Sequence, residues 1–140
     1  MNNHVCIFLA YNNVEHVKRS FNSMHMPGMD YFIVENKSEN SDEIREYFAG
    51  KDVVQHVLFE ENIAANAIRI VIDEFYETFS KYEYVTITDG DIFVYNMRET
   101  MREILDNLSD PSVMVSSAWM YEGNDYLRED RIEGVDHYIR

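Results

Sequence analysis

Short, uninterrupted apolar runs alternate along this chain with longer stretches of helical periodicity. The first run, Val5-Cys6-Ile7-Phe8-Leu9-Ala10, is followed by the breaker pair Asn12-Asn13, the pattern of a strand buried on both faces. From Val14 to Met24, the residues Val17, Phe21 and Met24 recur at helical spacing with Lys18, Arg19 and Asn22 between them, which predicts an amphipathic helix. Met26-Pro27-Gly28 ends it, because proline disfavours helical geometry before it and glycine frees the turn after it. A second strand is predicted over Asp30 to Val34, stopped by Glu35-Asn36-Lys37-Ser38. Ser41 then caps a short helix with Asp42 and Glu43 in its first turn, closed by Gly50. Val53 to Phe59 predicts a third strand, and Ile63 to Phe79 a long helix carrying Ile63, Ala67, Ile70, Val71, Phe75 and Phe79. Tyr84 to Thr88 is a fourth strand that runs straight into Asp89-Gly90-Asp91. A helix over about Arg98 to Leu108, ended by Asp110-Pro111, and a fifth strand over Val113 to Ala118 complete the pattern.

Strands alternating with helices in this way predict an α/β fold, a three-layer α/β/α sandwich around a mostly parallel sheet. There is no internal repeat, low-complexity segment or linker, so residues 1–140 read as a single domain. Crossovers between parallel strands are right-handed, and ligands bind at the carboxyl ends of the strands. Polar residues just after the apolar runs are therefore the ones to weigh for chemistry.

Composition narrows the field. The 26 acidic side chains outnumber the 12 basic ones, for a formal net charge of −14. Such a field repels phosphate backbones and anionic lipid heads, which argues against nucleic acid or a bare membrane surface as partner. A substrate that is itself an anion would need a divalent cation to neutralise carboxylates and phosphates together. The single cysteine, Cys6, excludes an intramolecular disulfide and reads as a buried strand residue. No apolar run approaches the roughly 18 residues that a membrane span needs, and no signal-peptide pattern opens the chain. A cytoplasmic protein is the expectation.

Three strand ends are polar: Tyr11-Asn12-Asn13, Glu35-Asn36-Lys37-Ser38 and Asp89-Gly90-Asp91. Parallel strands would gather them along one edge of the sheet. Two carboxylates flanking a glycine that lets the backbone turn sharply can approach one ion. Carboxylate oxygens suit Mg²⁺ or Mn²⁺, which keep several waters and share their shell with substrate phosphates. The same tripeptide is equally a common turn. Glu35 reads either as a solvated loop acid or as an acceptor for base or ribose hydrogen bonds.

Taken in order, these pieces resemble the nucleotide-binding half of family-2-like GT-A glycosyltransferases. The resemblance rests on Ala10-Tyr11-Asn12, on Ile33-Val34-Glu35-Asn36-Lys37-Ser38, on Glu61-Asn62-Ile63-Ala64-Ala65-Asn66, and on Thr88-Asp89-Gly90-Asp91, which looks like the family's DxD motif. It covers roughly Val5 to Ala118. It implies a Rossmann-like GT-A sheet and transfer of a sugar from a metal-bound nucleoside diphosphate sugar to the hydroxyl of a glycan, lipid or protein acceptor. Ala10 and Tyr11 would line the nucleotide pocket, with Glu35 where the family usually has an aspartate contacting the base. Asp89 would approach the ribose or the metal's water shell, and Asp91 would coordinate Mn²⁺ or Mg²⁺ directly. Arg69 is a further candidate for donor contact, against the plainer reading of a solvated helix-face charge. Where the family often has glycine after the asparagine of the third motif, this chain has Ile63 and Ala64.

The residues after the fifth predicted strand include Trp119, Tyr121, Glu122, Asp125, Asp130, Glu133, Asp136 and His137. One of these acids could serve as general base, though an acidic solvated tail is the simpler reading. Because GT-A enzymes build the acceptor site from a second half, the chain reads as a fragment of a longer enzyme or as a shortened member completed by another subunit. A monomer and a homo-oligomer that completes its sheet edge fit equally well. The competing reading is a non-catalytic nucleotide- or metal-binding module that lacks the acceptor site. No Gly-x-Gly-x-x-Gly follows the first strand, and no Gly-Lys-Ser/Thr loop is present.

Overall fold

A computed structural model describes residues 2–117, and the chain divides into two compact units, Met1–Tyr95 and Asn96–Arg140. The first unit runs β1 (His4–Ala10), α1 (Val14–Met24), β2 (Asp30–Glu35), α2 (Ser41–Ala49), β3 (Gln55–Leu58), α3 (Asn66–Glu74), α4 (Tyr76–Phe79) and β4 (Tyr84–Asp89). Its four strands are all parallel, in the order β3-β2-β1-β4.

The central strand β1 has almost no exposed surface, as its unbroken apolar sequence requires. Its side chains alternate between two cores. Val5 and Ile7 join Phe32 and Val34 of β2 and pack against Ala67, Val71 and Phe79 from α3 and α4. On the other face Phe8 meets Phe21 of α1 edge-on at 5.5 Å between ring centroids and Phe48 of α2 at 6.1 Å. Phe21 in turn packs on Tyr31 and Phe48 at 5.0 and 5.1 Å. Edge-to-face pairs of this kind add about 0.5–1.5 kcal/mol each beyond their buried area. Two helix layers therefore sandwich the sheet, the architecture expected for the alternating pattern. Cys6 lies wholly inside β1, and burial pushes its thiol pKa up to about 12.

Two predicted elements differ in the structure. The long helix expected over Ile63 to Phe79 is two helices, and the first begins only at Asn66. Ala64 takes a left-handed backbone with φ 51°, which no helix interior accommodates. Three contacts hold it there. The Asn62 Oδ1 accepts from the Ala64 N–H at 3.0 Å, the buried Asn36 donates to the Ala64 carbonyl at 3.3 Å, and Asn36 Oδ1 accepts from the Ile63 N–H at 3.4 Å. Phe75, at φ −108°, separates the two helices.

In the second unit, α5 (Met97–Leu108) is capped by Asn96, whose Oδ1 accepts from the Glu99 N–H while its amide donates to the Glu99 carboxylate. The fifth strand expected over Val113 to Ala118 is not formed across residues 113–117, and Ala118 lies outside the described residues. Asp110 turns the chain here, accepting from both the N–H and the hydroxyl of Ser112, and its carbonyl accepts from the Val113 N–H at 2.9 Å. Met114 and Val115 are exposed at 92% and 49%, so their apolar side chains gain no buried face to drive a strand. Among the described residues no helix is long and apolar enough to cross a membrane.

The left-handed alanine gives a direct test. Replacing Ala64 by glycine relieves a strain of about 1–2 kcal/mol, offset in part by the greater freedom of glycine in the unfolded chain. Urea denaturation should show Ala64→Gly more stable than the native chain by about 0.5–1 kcal/mol, and equal or lower stability would contradict the strained conformation.

Candidate functional site

Strand β4 returns to the far side of β1 after β2 and β3 have built the sheet in the other direction. The boundary between β1 and β4 is therefore a topological switch point, where loops diverge and leave a crevice. The register aligns Leu9 with Asp89 and Ala10 with Glu35. All three polar strand ends singled out in the sequence thus come to one edge of the sheet, over three adjacent strands.

Gly90 explains how the two carboxylates fit there. Its N–H donates to the Leu9 carbonyl at 2.8 Å. A Cβ on residue 90 would stand 2.8 Å from that same carbonyl oxygen and 3.4 Å from the Phe8 ring. The glycine is needed for this close approach to β1, and the chain turns at residues 90 and 91 as expected from sequence, without a positive φ at Gly90. Asp89 and Asp91 then stand on either side of the contact, both exposed. Partial burial of its carboxyl raises the pKa of Asp89, and the neighbouring charge of Asp91 raises it further. Among the described residues no group of three or more His, Cys, Asp or Glu is placed to hold a metal ion. A pair of carboxylates nevertheless fits a hard divalent ion that takes one or two protein ligands and completes its shell with water and phosphate oxygens.

On the same edge of the sheet, the loops after β1 and β2 border a cleft of about 770 Å³, lined by Tyr11, Asn12, Asn13, Lys37, Ser38 and Asn40 together with Val14, Glu15, Glu39 and Glu43. Asn13 caps α1, its Oδ1 accepting from the N–H groups of Glu15 and His16. Asn12 sits at φ 58°, a left-handed position that asparagine tolerates better than most residues. The opposite wall is stiffened by Ser41, whose hydroxyl donates to the Ser38 carbonyl at 3.0 Å and accepts from the Ser38 N–H at 3.1 Å.

The remaining predicted site residues are placed as follows. Tyr11, 40% exposed, lines the cleft, while Ala10 is buried beneath it. Glu35 is fully buried as the last residue of β2 and is not part of the cleft lining. One of its carboxylate oxygens lies 3.0 Å from His56 Nε2, and the other has no hydrogen-bond partner. Arg69 is exposed on α3 and is not part of the cleft lining. Trp119, Tyr121 and the acids after them lie outside the described residues. His56 shows no ligand spacing in the sequence, because its link to Glu35 is a tertiary contact between adjacent strands. Glu15, Glu39 and Glu43 look in sequence like ordinary solvated helix-end charges until the loops bring them to one cleft.

Two outcomes follow from this geometry. Gly90→Ala must displace backbone, which should cost about 1–3 kcal/mol in urea denaturation; native-like stability would refute the close contact. For Asp89 the fold favours the protonated acid, so folding stability falls as pH rises from the ordinary value of 3.8 to the raised folded value. Above that interval the charged carboxylate holds the stability down. Asp89→Asn should therefore melt higher than the native chain at pH 7, with the difference vanishing once the pH falls below 3.8; a difference that persists in acid would contradict the assignment.

No family model matches the chain. It is 30% identical over 129 residues to protein L142 of Acanthamoeba polyphaga mimivirus, a match that covers 85% of this chain and 26% of that protein. It is 27% identical over 157 residues to protein L137 of the same virus, covering 93% of this chain and 21% of the relative. The chain thus spans about a quarter of the length of these relatives. Among solved structures it is similar to S. aureus TarS, a glycosyltransferase, with a TM-score of 0.55 and 18% identity over 78% of this chain and 20% of TarS. The parallel sheet with its flanking helices is a glycosyltransferase-like α/β fold.

Proposed function

We propose that this chain is the nucleotide-sugar-binding part of a metal-dependent glycosyltransferase of GT-A type. One observation supports it above the others: the two carboxylates of Asp89 and Asp91 stand at the switch point of the sheet, on the same edge as a cleft built by the loops after β1 and β2. A nucleoside diphosphate sugar is a ligand with two chemically distinct ends, and the sheet edge offers two matching environments. From β2 to β4 is two strand spacings, roughly 10 Å.

The base and ribose suit the cleft, where Tyr11 offers an aromatic face and Asn12, Asn40 and Ser38 offer neutral donors and acceptors. Three carboxylates against the single Lys37 make that cleft unfavourable for phosphate. The diphosphate belongs instead beside Asp89 and Asp91. A bound Mn²⁺ or Mg²⁺ supplies positive charge that stabilises the departing diphosphate. Asp91 would ligate it, and Asp89 would reach it directly or through its water. Ionisation of Asp89, which the fold disfavours, is restored by a cation beside it. Glu35 is best read as a strut that fixes the end of β2 through His56, with the exposed cleft residues left to recognise the nucleoside.

Calorimetry with a panel of nucleoside diphosphates, with and without Mn²⁺, tests the reading on the native chain and on Asp91→Ala. The expected result is binding that requires Mn²⁺, prefers one base, and weakens at least 100-fold in the variant, the upper range for loss of a metal site's support. Binding that ignores both metal and substitution would leave a plain nucleotide-binding module; no binding at all would remove the donor-site reading for this chain.

A further inference from the structure

The loop that carries the two carboxylates is held by helix α1 as well as by β1. Ser20 is 2% exposed, and its hydroxyl faces away from its own helix. A buried serine in a helix ordinarily bonds the carbonyl one turn back. Ser20 instead donates to the Ile92 carbonyl, and its oxygen also lies 3.4 Å from the Asp89 carbonyl. One turn further along the same face, the Ser23 hydroxyl accepts from the Val94 N–H at 3.0 Å and donates to the Ser20 carbonyl at 2.7 Å. On the same helix, the Arg19 guanidinium lies over the Phe93 ring at 4.8 Å from its centroid. With the bond from Gly90 to Leu9 added, both residues that flank Asp91 are fixed through their backbones, Gly90 on β1 and Ile92 on α1.

We infer that Ser20, supported by Ser23, is a positioning residue for the metal-binding loop: the two hydroxyls set the path of residues 89–94, so that the Asp89 and Asp91 carboxylates face one point before any ion arrives. The inference rests on the metal-site reading above. Its physical basis is that two carboxylates and a water shell make a weak site unless the ligands are pre-arranged. Neither serine would touch the ion. Their loss lowers affinity by letting the loop spread, and partners that orient metal ligands typically matter by 10–100-fold in metal affinity.

Mn²⁺ binding to the full chain, followed by the resonance signal of the free ion, tests this without relying on activity. Ser20→Ala should weaken Mn²⁺ binding at least about tenfold, Ser23→Ala should weaken it in the same direction, and in metal-free samples both should speed hydrogen exchange at the amides of residues 90–94. Ser23 is only partly buried, so its variant carries the test if Ser20→Ala fails to fold. Tyr82→Phe is the control: its hydroxyl donates to Asp30 at 2.9 Å at the opposite, amino-terminal end of the strands, so it should lower the melting temperature and leave Mn²⁺ affinity unchanged. Native affinity in both serine variants, or an equal loss in Tyr82→Phe, would overturn the positioning role while the metal site stands. Failure of the native chain itself to bind Mn²⁺ would instead overturn the metal-site reading, and this inference with it.

Discussion

The approach of Gly90 to the Leu9 carbonyl is the contact on which the arrangement of the site depends. It locks the end of β4 to the end of β1 at the place where the sheet changes direction. A side chain at residue 90 would push the strand ends apart, and the two carboxylates on either side would move with them. Everything else at the edge is referred to the same strand. Ala10 accepts from the Asn36 N–H at 3.2 Å, which brings the end of β2 into line; Asn36 then holds Ile63 and Ala64 at the start of α3. A chain of short backbone-directed contacts thus runs across three strands, and the exposed residues of the site are its passengers.

Much of this was legible in the sequence, and the reasons differ by element. Strands β1 and β2 announce themselves because a strand buried on both faces has to be apolar throughout, as Val5 to Ala10 and Tyr31 to Val34 are. Helix α1 follows from Val17, Phe21 and Met24, all buried as their spacing implies. The Asp-Gly-Asp step was legible as a candidate because of its place after an apolar run. What the sequence could not display is which partner a residue finds. The break at Ala64 comes from Asn36, 28 positions away. The pairing of Glu35 with His56 needs β2 and β3 side by side. At Val113 to Ser117 the apolar residues resemble a strand, but the preceding Asp110 turn and the exposure of Met114 and Val115 deny them a ladder to join.

Charge shapes the site as much as shape does. A chain of net charge −14 presents an unpromising field to an anionic ligand, and the cleft residues continue that bias with three carboxylates around one lysine. The Asp89–Asp91 pair concentrates like charge still further, and partial burial of Asp89, with the Asp91 charge added to it, makes Asp89 hold its proton more tightly than an ordinary carboxylate. Such a concentration costs stability when empty and favours any divalent cation that relieves it. Acidity that discourages polyanions in general is then compatible with selecting one small anion, provided it comes with a cation.

The single thiol of Cys6 has a different consequence. It sits at zero exposure in the central strand, sandwiched between both helix layers, with its ionisation suppressed. No fluctuation of the surface loops uncovers it; the helix layer over its face of the sheet, or β1 itself, has to come away. The rate at which a thiol reagent modifies this chain is therefore a clock for opening of the core, already built into the native sequence, and it leaves every residue at the carboxyl edge of the sheet untouched.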